Sequence, residues 1–139
     1  MAANIEPVFA LTPRITIAEL SVANTSRDGT GTIVDVLSAG TNGTRIDAIT
    51  IQALQTTSAG MIRLFIGDGV NSYLWKEILV DAITASSTVA AFVSIVAPKQ
   101  FSDDSGHTDM PLILPLGWIL QAATSQAIDF NVIAQGGDF

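Results

Sequence analysis

TRIDAITIQALQTTSAGMIRLFIGDGVNSYLWKEILV, residues Thr44 to Val80, is the stretch that decides the fold. From Thr44 to Gln55 the side chains sort with a period of two: Ile46, Ala48, Thr50, Gln52 and Leu54 on one face, Arg45, Asp47, Ile49, Ile51 and Ala53 on the other. A helix would repeat every 3.6 residues, so this is a strand. After the turn TTSAG, a second run from Met61 to Ile66 sets Ile62, Leu64 and Ile66 against Met61, Arg63 and Phe65. The loop GDGVN reverses the chain, and Tyr73 to Val80 returns beside it. There Leu74, Lys76, Ile78 and Val80 alternate with Tyr73, Trp75, Glu77 and Leu79. Both faces carry bulk, so this strand is expected to be covered on both sides.

Working outward, the same rhythm of apolar, β-branched runs and turn formers repeats about every ten residues, the spacing of a sandwich or barrel. Thr32 to Ser38 ends at AGTNG, where Asn42-Gly43 supplies the positive φ of a tight hairpin. Thr88 to Ala97 is stopped by Pro98, which cannot donate to a ladder. Leu112 to Leu114, flanked by Pro111 and Pro115, reads as an edge strand, and Gly117 to Thr124 and Ala127 to Ala134 complete the set. The alanine-rich Ala82 to Ala91 carries serines, threonines and a valine that favour extended chain over helix. Before Thr32, Pro7 and Pro13 interrupt the runs Val8 to Leu11 and Arg14 to Leu20, and ANTSRDGTG from Ala23 to Gly31 is all turn formers. The expectation is all-β: an extended N-terminal arm with short strands over 1–30, then an eight-stranded antiparallel β-sandwich over 31–139, jelly-roll-like. An immunoglobulin-like sandwich stays open, without the Cys and Trp hallmarks of antibody domains.

Composition narrows function. The 139 residues suit one domain and one core, and the absence of cysteine removes disulfides, thiolate metal sites and cysteine nucleophiles. Charged residues are 14% of the chain against about a quarter in ordinary soluble domains. No apolar run approaches the roughly 20 residues of a membrane helix, so the apolar excess is expected to be covered by protein, through self-association or assembly. No Lys/Arg-headed apolar stretch opens the chain, which argues against a secretory signal. The net charge is −7 and the six cations, Arg14, Arg27, Arg45, Arg63, Lys76 and Lys99, are scattered. Phosphate backbone binding needs clustered cations, so no nucleic-acid partner is expected, and no membrane.

Chemistry-bearing constellations are few. FSDDSGHTDM places Asp103, Asp104, His107 and Asp109 within seven residues, a weak candidate for Ca²⁺ or, through His107, a transition metal. The order is not that of an EF-hand loop, and a solvated loop is the plainer reading. His107 is the sole histidine and no GxSxG elbow accompanies it, so triad chemistry is not expected. Glu6, Glu19 and Glu77 suggest no paired-carboxylate site. Asp28-Gly29-Thr30-Gly31 and Gly67-Asp68-Gly69 lack the helix context of a phosphate cradle and read as turns. Asn24-Thr25-Ser26 and Asn42-Gly43-Thr44 match the glycosylation pattern, a short motif that arises by chance. Trp75 and Trp118 would suit a sugar if exposed, although strand tryptophans usually pack. The ending GGDF is open to two readings, a strand extension or a hook into a neighbour.

DGTGTIVDVLSAGTNGTRIDAITIQALQTTSAGMIRLFIGDGVNSYLWKEI, from Asp28, and AIDFNVIAQGGDF at the end resemble a group of small tailed-phage and prophage virion proteins. The carriers are Asp28 to Thr32, Ala39 to Arg45, Thr56 to Gly69, Leu74 to Glu77 and Gly136 to Phe139. The resemblance implies a capsid decoration (cement) protein, a homotrimer on the capsid surface of the virion with the major capsid protein as partner. It brings no catalytic or metal residues and no cofactor, and the segment before Asp28 departs from it. A non-enzymatic structural protein is therefore expected, the alternative being a tail-associated receptor- or carbohydrate-binding β-sandwich module.

Overall fold

The computed structural model describes residues 10–97 and 111–139. Among the described residues nine strands form: β1 Thr12–Leu20, β2 Val34–Ser38, β3 Thr44–Ala53, β4 Gly60–Gly67, β5 Ser72–Val80, β6 Val93–Val96, β7 Leu112–Leu114, β8 Ile119–Thr124 and β9 Phe130–Asp138. They make two antiparallel sheets, one ordered β1-β9-β3-β6 with β7 also on β3, the other β2-β8-β4-β5. From β1 to β4 each strand enters the sheet opposite its predecessor, which is a jelly-roll-like winding. The two inner faces meet in one core, where Ile46, Ile49, Ile51, Ile62, Leu64, Leu120, Phe130 and Val132 lose all solvent contact.

Eight of the nine strands are those marked from Thr32 onward. The ninth, β1, lies within the stretch assigned to the arm: Pro13 does not break it, because β1 is an edge strand and its outward N–H groups owe nothing to a ladder. β1 pairs with β9 along nine residues, from Thr12 opposite Asp138 to Leu20 opposite Phe130. β6 starts later than the run Thr88 to Ala97, since Ser86 to Val89 close a turn through Ser86 N–H to Val89 carbonyl, 3.0 Å. β6 and β7 share one strand position: β6 pairs with Ile49–Gln52 and β7 with Thr44–Ile46 of the same β3 edge.

Three bulges shift the strict alternation, the first at Val36, the extra residue where β2 meets β8. Asp47 is the extra residue where β3 meets β9, so Ile46 and then Ile49, Ile51 and Ala53 all point inward. Trp75 is the extra residue where β5 meets β4, which turns Leu74 outward with Glu77 and Leu79 while Ile78 and Val80 stay in the core. β5 is not covered on both sides: it is the edge of the four-stranded sheet, and Tyr73, Leu74 and Leu79 are exposed.

GGDF proves to be a strand extension. Gly136, Gly137 and Asp138 continue β9 between β1 and β3, and the Phe139 N–H bonds to the Gly43 carbonyl at 3.2 Å. Beside the β3 bulge the strands approach so closely that a Cβ at Gly136 would sit 1.8 Å from the Arg45 carbonyl oxygen. Asp138 ties the corner: its carboxylate accepts from Thr44 Oγ1 at 2.5 Å and from Arg14 Nη1 at 3.3 Å, and Arg14 also reaches the Ser38 carbonyl at 2.8 Å. The Thr44 hydroxyl first, and Arg14 after it, hold the Asp138 carboxyl below the ordinary aspartate value.

Candidate protein-contact surface

The outer faces of the two sheets are finished differently. Across the four-stranded sheet runs a strap, residues 21–33, the segment rich in turn formers. It is fastened at three points. Asn24 N–H bonds to the Thr124 carbonyl at 2.7 Å, Arg27 donates to the Glu77 carboxylate on β5, and Gly29 passes so near Ser72 that a Cβ there would meet its carbonyl at 2.3 Å. Gly29 and Gly31 both need positive φ, +85° and +82°. Beneath the strap, Phe65 and Ala123 are buried although they point away from the central core. Arg63, 5% exposed, donates to Glu77 at 3.0 Å and lies 3.5 Å from the Asn24 carbonyl. Glu77 thus accepts from two guanidiniums, Arg27 the stronger influence and Arg63 the next, and its carboxyl is held below the usual glutamate value.

The five-stranded sheet has no such cover among the described residues. On β1, Ala18 and Leu20 are buried, so Ile15 and Ile17 face out, 66% and 65% exposed. On β9, Val132 and Ala134 are buried, so Ile133 faces out; on β6, Ile95 does so at 63%. The pairing aligns these residues: Ile17 opposite Ile133, Ile133 opposite Thr50, Thr50 opposite Ile95, a β-branched row of three isoleucines and one threonine crossing the whole sheet. Ile15, Gln135 and Ala48 form the next row, and Pro13, Gly137, Arg45 and Ile113 the one beyond. Of the residues in these rows and beside them, the charged ones are Glu19, Arg45 and Asp47, and Arg45 is paired with Asp47 at 2.7 Å. The face ends in a hollow of about 470 Å³ lined by Arg45, Ile113, Leu114, Pro115 and Phe139.

The other residues singled out by sequence fall as follows. Asp103, Asp104, His107 and Asp109 lie outside the described residues, as do Glu6 and Lys99. Among the described residues no three His, Asp or Glu side chains gather as metal ligands. The two glycine-rich loops are turns: Asp28 accepts from the Thr30 hydroxyl at 2.6 Å and amide at 3.1 Å, and Asp68 from the amides of Asn71 and Val70 at 2.8 and 2.9 Å. Those bonds, the Thr30 hydroxyl and the Asn71 amide foremost, hold both carboxyls below the ordinary value. Asn24 is 6% exposed and its amide donates to the Thr30 and Thr32 carbonyls at 2.9 Å each, so it is closed to a glycan in the folded chain; Asn42 lies exposed in its turn. Trp75 packs against the core, while Tyr73, 52% exposed, lines a groove of about 340 Å³ with Asp28, Thr30 and Asn71.

The outward isoleucine row is not singled out by any motif of the sequence. Its signal is present all the same, in Arg14–Leu20 and Thr44–Gln55, where the face opposite the core is also poor in charge. No helix among the described residues is long and apolar enough to cross a membrane. No protein-family model matches the chain, and no curated protein is similar enough to count as a relative.

Proposed function

We propose that this chain is a non-enzymatic structural protein of a phage-type virion, a decoration or cement protein that stabilises the head through contacts with the major capsid protein. The observation that carries the reading is the charge-poor outer face of the five-stranded sheet, with Ile15, Ile17, Ile95 and Ile113 exposed on strands whose other side is core. An apolar patch of that extent on a chain of net charge −7 is the mark of a protein-contact surface. The jelly-roll-like winding agrees with this role, being an architecture that capsid proteins use, but it is shared with lectins and decides nothing alone.

Co-sedimentation with head particles lacking the chain tests the reading. Saturable binding that raises the temperature of particle disruption is expected; full-length folded protein that stays in the supernatant at every concentration removes it. A second reading, a tail-associated carbohydrate-binding module, is favoured by one observation, the exposed Tyr73 ring beside the polar groups of Asp28 and Asn71. Glycan-array signals lost in Tyr73→Ala would move the assignment there.

A further inference from the structure

We infer that the outer face of the five-stranded sheet is the interface between two copies of this chain, packed face to face about a two-fold axis. The inference takes from the proposed function only the premise that this face contacts protein, and it gives the face to a second copy in place of the major capsid protein, which would then meet another part of the dimer.

Three observations select a second copy as the occupant. The first is charge. Two chains of net charge −7 repel, and they approach at least cost through the surface where charge is scarcest. On this face one cation, Arg45, stands against two anions, Glu19 and Asp47, with Arg45 and Asp47 paired to each other. The second is the lack of a different apolar counterpart of similar extent among the described residues. The outer face of the other sheet is crossed by the 21–33 strap and carries Arg27, Arg63 and Glu77. A ring built head to tail needs two unlike complementary patches, whereas a two-fold pair needs one patch that complements itself. The row Ile17, Ile133, Thr50, Ile95 reaches from one sheet edge to the other, so a copy rotated by two-fold symmetry lays a matching row across it. Two sheets stacked in this way keep their strands within about 30° of each other, and β-branched side chains interdigitate between them.

The third is area. Four strand positions about 4.8 Å apart and about 30 Å long present about 600 Å². A pair therefore buries about 1,200 Å², the lower limit of a specific interface. That size predicts a reversible dimer. A two-fold pair also differs from the trimer that the family resemblance implies.

Sedimentation equilibrium on the full chain tests the inference. The expected result is a monomer–dimer equilibrium at micromolar concentration. Ile17→Lys with Ile95→Lys, two exposed positions at opposite edges of the row, should weaken it about a hundredfold or more, because each ammonium must be taken out of water into an apolar interface. Val70→Lys, on an 89% exposed loop, should leave it unchanged. Thermal melting checks that the variants fold, and Ile17→Thr with Ile95→Thr, which keeps β-branching, gives a milder shift in the same direction should the lysines prevent folding. A wild-type monomer, a trimer, or a dimer indifferent to all these changes would overturn the inference. A dimer without affinity for head particles would leave it standing and remove the proposed function alone.

Discussion

At the scale of single residues, Gly136 leaves the least room for a side chain among the described glycines. The missing Cβ lets β9 close on the β3 bulge, where the Arg45 carbonyl would stand 1.8 Å away. Gly136→Ala should therefore cost about 3 kcal/mol or more in urea denaturation, by forcing the strands apart. Acid should act through residues as well. Asp138, Glu77, Asp28 and Asp68 all have carboxyls held below their ordinary values. A carboxyl depressed in the folded chain takes up its proton more readily once unfolded, so its contribution is complete above the unfolded value and is lost as pH falls through the folded one. The melting temperature should stay level from pH 7 to about 5 and fall below about pH 4. A loss that begins at pH 6 would point to a different group.

At the scale of elements, the strap and the split strand set the two sheets apart. The strap has little apolar surface to bury and is held by polar bonds, with Asn24 gripping both the Thr30 and Thr32 carbonyls. Asn24→Ala should loosen 21–33 without unfolding the sandwich, seen as faster amide exchange in the strap while β3 and β9 keep their protection. The two guanidiniums on Glu77 should respond unequally. Arg27, 60% exposed, makes a surface pair that Arg27→Ala would barely register; Arg63 is 7% exposed at its side chain, and Arg63→Ala should lower the melting temperature by about 5 °C or more. Equal shifts would mean that the strap does not shield Arg63. β6 and β7 show how a strand position is filled twice: both lie on the same edge of β3, β6 beside Ile49–Gln52 and β7 beside Thr44–Ile46.

At the scale of the whole molecule, the balance of charge and apolar surface governs association. Two copies of net charge −7 still repel around any apolar contact, so self-association should tighten as salt rises from 0.05 to about 0.5 M, since screening removes the repulsion and spares the apolar term. An ion-paired interface would weaken instead, and sedimentation at the two salt levels separates the cases. Local alternation was enough to make the chain all-β and to mark the strands from Thr32 onward, because a period of two and the turn residues are properties of neighbours in sequence. Even the bulge at Asp47 leaves a local trace, the three-residue step from Ile46 to Ile49. Sequence alone determined the strands from Thr32 onward, though not their bounds, and the scarcity of charge. Only the tertiary structure decided which faces became interior. Ile17, Ile133, Thr50 and Ile95 share a row through pairings of strands far apart in the chain, and Phe65 is hidden because a distant strap crosses it. Register and cover arise from non-local hydrogen bonds, which no short stretch of sequence specifies.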